Sequence, residues 1–280
     1  TGPVIVISTV IIPALTAAAI NYLKDRKNYT ISSSLIRTSK WERATDYGYK
    51  SLLLPLVELV GRLQWGSLVV ISLILSYRLC DSVWGPFAFP FYLEELKYTN
   101  DEVAFASKIF GVFATILGVG MGGVLFVWLG RMPTLMIGAL VAAASNLLYA
   151  DLASGAPGIN YFCRLFLLDH VAELLGSNLR MVRLLIAIAG ENIAGGLAGA
   201  AFVAYLSSIA SKQFSAVQYA LLSSLTFLVG SLGRGAIGEA IDQIGYAPVF
   251  QFTAMLGLIA VGICAIEWAR TIRKSRYLDL

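Results

Sequence analysis

Apolar runs of about 20 residues recur along the chain, and short polar breaks separate them. A helix of that length crosses about 30 Å of hydrocarbon. The alternating segments of about ten residues that form a transmembrane β-barrel do not occur in the sequence. The pattern therefore predicts an all-α membrane protein with about seven transmembrane helices. The predicted spans are about Pro3–Leu23, Gly66–Tyr92, Val103–Trp128, Pro133–Ala150, Val182–Ala210, Ala216–Ile237 and Pro248–Trp268.

The polar stretches divide the chain into three parts. We expect a single transmembrane helix over residues 1–23, a cytoplasmic linker over 24–65 and a six-helix domain over 66–280. The end of the linker, KSLLLPLVELVGRLQW, is amphipathic, which predicts a helix in the membrane interface. A soluble linker helix is the alternative. Pro55 in this segment fits an early helical turn or a kink.

A second amphipathic segment, INYFCRLFLLDHVAELLG, lies in a loop between predicted spans. It contains the only histidine of the chain, His170. Because imidazole titrates near neutral pH, a proton relay is one interpretation of this residue. The simpler interpretation is an interfacial side chain without such a role.

Composition and charge agree with a membrane protein and predict its orientation. Hydrophobic residues make up 58% of the 280 positions and charged residues 14%, whereas soluble domains contain about 25% charged residues. Cytoplasmic loops are enriched in lysine and arginine, so the linker and the C-terminus are predicted to be cytoplasmic and Thr1 to lie outside. The net charge of +4 therefore does not indicate a nucleic-acid partner. The predicted cytoplasmic face contains Lys24, Arg26, Lys27, Arg37, Lys40, Arg43, Lys50, Arg62, Arg131, Lys212, Arg270, Arg273, Lys274 and Arg276, and the other face contains Lys97, Arg164 and Arg180.

The stretch from Leu184 to Leu225 is predicted to line a cavity within the membrane. It places Glu191 and Asn192 inside an apolar helix, where a charge costs about 2.5–3.5 kcal/mol and usually has a function. No basic residue lies within four positions of Glu191, so this group must pair across helices, meet water or hold a proton. Gly195 and Gly199 form a small-xxx-small pair, which predicts close approach of a neighbouring helix.

Arg78 and Asp81 form a second polar group inside a predicted span. They are three residues apart, so they share one face of a helix. A structural ion pair and a substrate- or proton-binding pair are both open interpretations, and Arg78 is also the expected partner of Glu191 across helices. Pro86 and Pro90 follow, and they are expected to kink or break this span.

Three further polar residues within the spans are weaker candidates. Lys108 lies near the start of its span, from which its long side chain could reach the outer surface. Asn146 and Gln218 could bind sugar hydroxyls or peptide groups, but such amides more often join helices. The candidate site residues are thus Arg78, Asp81, Glu191, Asn192, Lys108, Asn146 and Gln218, for proton coupling or substrate binding.

No motif for catalysis, metal binding or a cofactor is found in the sequence. It has no GxxxxGK[ST], HExxH, GxSxG or zinc-ligand spacing, so we expect neither an enzyme nor a bound cofactor. The three cysteines lie far apart without a CxxC motif and are expected to be packing residues. Two similar segments, GVLFVWLGR from Gly123 and GEAIDQIGY from Gly238, each predict a tight turn between membrane helices.

From about Leu52 onward the chain resembles the C-terminal half of the AmpG muropeptide permeases of the major facilitator superfamily. The stretches that resemble this family are YRLCDSVWGPFAFPFY, DEVAFASKIFGVFATILGVGMGGVL, RMPTLMIGALVAAASNLLYADL, GENIAGGLAGAAFVAYL and KQFSAVQYALLSSLTFLVGSLGR. The superfamily's turn motif GxxxDRxGR is only partly present, because Val127 and Trp128 replace its acid and its base. The charge-based gate of that motif is therefore not expected here.

The resemblance implies a major-facilitator-type helical bundle in which residues 66–280 form one half and residues 1–23 end the other. It implies proton-coupled import, by symport, of peptidoglycan fragments across the bacterial inner membrane for cell-wall recycling. The cargo would be GlcNAc-anhydroMurNAc with or without its peptide. The expected partners are this sugar-peptide substrate, protons and membrane lipids, together with missing N-terminal helices or another subunit. A transporter of another anionic metabolite, such as acyl-CoA, and a non-transporting membrane scaffold are the alternatives.

Overall fold

A computed structural model describes residues 53–174 and 178–278 of the chain. These residues form helices, and no β-strand occurs within the described ranges. The prediction of an all-α membrane protein is confirmed. The helices are α1 (Leu54–Leu63), α2 (Gly66–Glu95), α3 (Asn100–Leu129), α4 (Arg131–Ala153), α5 (Pro157–Leu165), α6 (Leu168–Leu174), α7 (Leu179–Ile209), α8 (Ser215–Ile244) and α9 (Tyr246–Leu278).

Six of these helices, α2, α3, α4, α7, α8 and α9, are long and apolar enough to cross a membrane. They correspond to six of the seven predicted spans, and the first predicted span, Pro3–Leu23, lies outside the described residues. Helix α8 was expected to end at Ile237 but continues to Ile244. The extension includes Glu239 and Asp242. A helix remains hydrogen-bonded beyond its apolar section, so hydropathy alone underestimates its length.

Helix α2 is irregular along its second half. Regular α-helix ends at Tyr77, resumes over Leu79–Ser82 and gives way to a 3₁₀ turn at Gly85–Phe87 and a π-helical turn at Phe91–Glu95. The break expected from Pro86 and Pro90 is confirmed, because proline cannot donate to the helical ladder. The interruption at Arg78, with φ −111° and ψ 12°, was not predicted.

Helices α3 and α7 approach closely through glycines. A Cβ atom at Gly118 would overlap the backbone of Ile193, and one at Gly196 would lie 2.5 Å from the carbonyl oxygen of Thr115. Close packing of this kind was predicted for Gly195 and Gly199, and this prediction is wrong. A Cβ atom at Gly195 would have no heavy atom within 4 Å, and one at Gly199 would meet the Arg78 side chain at 3.3 Å.

The two predicted glycine turns are confirmed. Gly130 joins α3 to α4 and Gly245 joins α8 to α9, and each residue has φ of +80°. Glycine adopts positive φ without the steric penalty of a side chain. Successive transmembrane helices can therefore reverse direction over a single residue at both places.

The described residues divide into two compact units. The smaller unit contains residues 53–68 and 209–221, and the larger one contains the remaining described residues. In the smaller unit, α1 begins with Pro55 in its first turn, so the early-turn interpretation of this proline is confirmed. Gln218 donates to the carbonyl oxygen of Pro55 at 2.7 Å and to Glu58 Oε2 at 2.6 Å. Arg62 donates to the carbonyl oxygen of Ile209 at 2.6 Å.

The larger unit has an aromatic core. Trp84, Phe91, Tyr149 and Phe250 are almost fully buried, and their ring centroids lie 4.7–6.2 Å apart in the contacting pairs. Buried aromatic side chains contribute large apolar contact areas and prefer tilted or edge-to-face geometry. The core therefore connects α2, α4 and α9 and fixes their relative positions.

The loop between α4 and α7 contains the short helices α5 and α6. His170 in α6 is exposed, and its Nδ1 lies 3.1 Å from Asp169 Oδ1. This hydrogen bond raises the pKa of His170 and lowers the pKa of Asp169, because it favours the charged form of each group. The histidine contacts its sequence neighbour, and it is not among the residues that line the cavity described next.

Candidate functional site

Polar side chains from α2, α3 and α7 surround a cavity of about 260 Å³ in the larger unit. Arg78 and Asp81 come from the irregular part of α2, and Glu191 and Asn192 come from the middle of α7. The sequence places these pairs in two different spans and predicts one contact between them, from Arg78 to Glu191. The structure brings them together. The lining residues are Arg78, Asp81, Thr115, Glu191, Asn192, Gly195 and Gly196.

Arg78 has few protein partners within the described residues. Its Nη1 donates to the carbonyl oxygen of Gly195 at 3.5 Å, which is a long hydrogen bond. No described carboxylate lies within the 4.0 Å of an ion pair with its guanidinium. The ion-pair interpretation of Arg78 and Asp81 is therefore wrong at this distance, and Arg78, the expected partner of Glu191, interacts with that group only at longer range. Since one hydrogen bond to the described residues occupies one of the five N–H donors of Arg78, the others can serve a ligand in the cavity.

The two carboxyl groups of the cavity have neutral hydrogen-bond donors. Cys80 Sγ donates to Asp81 Oδ1 at 3.3 Å, and the hydroxyl of Tyr149 donates to Glu191 Oε2. The Tyr149 hydroxyl is also 2.6 Å from the hydroxyl of Tyr92. Glu191 thus lies at the end of a hydrogen-bonded chain of two tyrosines from α4 and α2.

Asn192 is held in place by the helices that it joins. Its Nδ2 donates to the carbonyl oxygen of Ile188 at 2.8 Å, and its Oδ1 accepts from the hydroxyl of Thr115 at 2.9 Å. The second hydrogen of the Asn192 amide takes part in neither of these two contacts. The side chain therefore has a fixed orientation at the wall of the cavity.

Chemically, the cavity combines one guanidinium, two carboxyl groups, an amide and a hydroxyl at membrane depth. Arg78 is within electrostatic reach of both Asp81 and Glu191. Such a set can bind an anionic group and can take up or release a proton. No group of three His, Cys, Asp or Glu side chains that could hold a metal ion occurs in the described part of the chain.

The three weaker candidates lie elsewhere. Lys108 is exposed in a π-helical turn of α3. Asn146 is fully buried, accepts from Trp84 Nε1 at 3.0 Å and donates to the carbonyl oxygen of Cys80 at 3.4 Å, so it joins α4 to α2. Gln218 belongs to the smaller unit, where it bonds to α1. The structure brings none of the three to the cavity.

Sequence reasoning missed Thr115, Tyr149 and Tyr92. A tyrosine or threonine in an apolar helix is usually a packing residue, and nothing in the local sequence distinguishes these three. Only the relative rotation of the helices brings the Thr115 hydroxyl to Asn192, the Tyr149 hydroxyl to Glu191 and the Tyr92 hydroxyl to Tyr149. A second depression, of about 460 Å³ between α4 and α9, has one polar lining residue, Gln251, and no charged one.

Known proteins resemble this chain over most of its length. The anhydromuropeptide permease of Escherichia coli K12 is 28% identical over 228 residues, which is 79% of this chain and 41% of the permease. A protein of Rickettsia conorii whose name describes it as a transporter, AmpG 4, is 28% identical over 197 residues, 70% of this chain and 42% of that protein. The chain is similar to proteins named AmpG or anhydromuropeptide permease. The resemblance drawn from the sequence motifs is confirmed.

The extent of the similarity limits what it says about the whole protein. The chain spans about two fifths of the length of these relatives. AmpG 1 of Rickettsia prowazekii gives the same picture, at 28% identity over 68% of this chain and 37% of the relative. No protein-family model matches the chain. These relatives are named as transporters or permeases, and six helices of this chain are long enough to cross a membrane.

Proposed function

We propose that the chain is part of a proton-coupled importer of peptidoglycan fragments across the bacterial inner membrane. The cargo is GlcNAc-anhydroMurNAc with or without its peptide. The observation that supports this most is the polar cavity among transmembrane helices, in a chain similar to an anhydromuropeptide permease. A cation with few protein partners beside two carboxyl groups suits an anionic substrate and a proton.

In this proposal Arg78 binds the carboxylate of the substrate. Guanidinium groups form strong, directional hydrogen bonds with carboxylates, and these bonds gain strength away from water. Asn192 and Thr115 belong to the same wall, and they offer amide and hydroxyl groups to the sugar. Lys108, Asn146 and Gln218 lie apart from the cavity, so we assign them no contact with the substrate.

Glu191 and Asp81 are the proposed proton sites. A carboxyl group at membrane depth holds a proton more readily than one in water, since burial disfavours its charged form. Binding of the anionic substrate next to Arg78 would change the field at both carboxyl groups. That dependence would couple movement of the substrate to movement of a proton.

We further propose that residues 66–280 form one half of a major-facilitator-type bundle. The other half comes from helices outside this chain or from another subunit, because two halves enclose a substrate between them. The excess of basic residues on one face supports a cytoplasmic C-terminus in this arrangement.

Uptake by membrane vesicles tests the proposed function. The complete gene product, with and without the double change Asp81→Asn and Glu191→Gln, is given radiolabelled GlcNAc-anhydroMurNAc under an imposed pH gradient. We expect the unchanged protein to accumulate the label and the double variant to fall to the level measured without a gradient. Equal accumulation by both proteins would contradict proton coupling through these acids. Uptake of labelled acyl-CoA but not of labelled GlcNAc-anhydroMurNAc would indicate other cargo, and uptake of neither by folded protein would favour a scaffold.

A further inference from the structure

Two adjacent glycines of α7 have different surroundings. A Cβ atom at Gly196 would lie 2.5 Å from the carbonyl oxygen of Thr115 and 2.9 Å from the amide nitrogen of Val119. Gly196 is therefore required by the packing of α7 against α3. A Cβ atom at Gly195 would have no heavy atom within 4 Å among the described residues, so no contact within this part of the chain requires glycine at this position.

Glycine weakens the interior of a helix relative to alanine, because its backbone loses more conformational freedom on folding. Gly195 lies near the centre of α7, which continues without interruption from Leu179 to Ile209. Neither packing against the described residues nor helix stability explains the absence of a side chain there. Gly195 differs from other glycines with open surroundings, such as Gly262, because it lines the polar cavity, where the missing side chain leaves space.

That space lies directly beside Arg78. The guanidinium nitrogen Nη1 is 3.5 Å from the carbonyl oxygen of Gly195 and would be 3.3 Å from a Cβ atom at Gly199. Residues four apart lie on one face of a helix, so the arginine lies across both glycines. Gly199 gives room to the arginine, and Gly195 keeps the adjoining part of the cavity open.

We propose that Gly195 is a specificity-determining residue of the transporter. Its bare backbone leaves the room in which the acidic group of the ligand, with the atoms attached to it, reaches Arg78. This inference rests on the proposed function. It identifies the carboxylate end of the sugar as the part of the ligand that lies against α7, where even one added methyl group would collide with it.

The test compares two alanine variants in the complete gene product. Gly262 of α9 is a matched control, because a Cβ atom there also has no heavy atom within 4 Å and the residue does not line the cavity. We expect Gly195→Ala to raise the KM for uptake of GlcNAc-anhydroMurNAc about tenfold. The Tm of the purified variant should equal or exceed that of the unchanged protein. Gly262→Ala should leave KM unchanged.

The possible results separate the two proposals. If the unchanged protein takes up the label and the KM of Gly195→Ala equals that of Gly262→Ala, the proposed role of Gly195 is overturned. The proposed function then remains intact. Absence of uptake by the unchanged protein would overturn the proposed function itself. A lower Tm in Gly195→Ala would contradict the open space that the structure places beside this residue. Gly196→Ala should lower the Tm, which confirms that the measurement detects loss of packing.

Discussion

The larger unit contains two arginines near carboxyl groups within its transmembrane helices, and their contacts differ. Arg270 donates two hydrogen bonds of 2.7 Å to Glu267, which is 3% exposed. Arg78 donates one long bond to a carbonyl oxygen and forms no ion pair with a described carboxylate. A charge that is neutralised within its own helix stabilises the fold. A charge that faces a cavity and has few contacts with the described residues is available to a ligand.

Stability measurements should separate the two arginines most strongly. Arg270→Gln leaves the buried Glu267 without its partner, so we expect the free energy of unfolding to fall by about 1.5–3 kcal/mol. Arg78→Gln removes only one long hydrogen bond, and we expect little change. Thermal or denaturant unfolding of the purified variants in detergent measures both values. A larger loss for Arg78→Gln than for Arg270→Gln would contradict the distinction between a paired and an available arginine.

The two tyrosine hydroxyls that lead to Glu191 extend the comparison from the arginines to the carboxyl groups. Tyr149→Phe removes the direct donor to Glu191, and we expect gradient-driven uptake to fall several-fold. Tyr92→Phe should have a smaller effect, since Tyr92 reaches Glu191 only through Tyr149. Initial rates of uptake at several pH values measure both effects, and a change in the pH profile would distinguish a role at Glu191 from loss of packing. Equal or reversed effects of the two variants would contradict the hydrogen-bonded path from Tyr92 through Tyr149 to Glu191.

The smallest effect is expected at the histidine. His170→Gln removes an exposed imidazole whose charged form Asp169 stabilises, and the residue does not line the cavity. Uptake between pH 5.5 and 7.5, a range of about one unit on either side of a typical histidine pKa, should therefore be unchanged. A loss of uptake at the acidic end alone would restore the proton-relay interpretation of this residue.

The sequence was sufficient to predict the fold class and the polar residues, but not how these residues meet. Runs of apolar residues depend on local composition, so six spans could be located with errors of a few residues at most ends. Arg78, Asp81, Glu191 and Asn192 could be selected because each is costly in hydrocarbon. Their meeting in one cavity depends on the rotation of α2 and α7, which no local pattern specifies.

The glycines of α7 show where sequence reasoning ends. Gly195, Gly196 and Gly199 all match a small-residue pattern, and spacing alone selected Gly195 and Gly199 as the packing pair. In the structure Gly196 contacts α3, whereas the two selected glycines adjoin Arg78. The spacing of small residues is the same whether a glycine contacts a neighbouring helix or a side chain such as Arg78. Only the tertiary contacts distinguish these two cases.

The most direct test of the account is the uptake of radiolabelled GlcNAc-anhydroMurNAc by the complete gene product and by its Arg78→Gln variant. Both proteins are placed in vesicles with the same imposed pH gradient, and Tm values confirm that both are folded. The account predicts uptake by the unchanged protein and a loss of about 30-fold or more in the variant, since the anionic group of the ligand would lose its charged partner. Equal uptake by the two proteins would contradict the claim that Arg78 and its cavity bind the substrate.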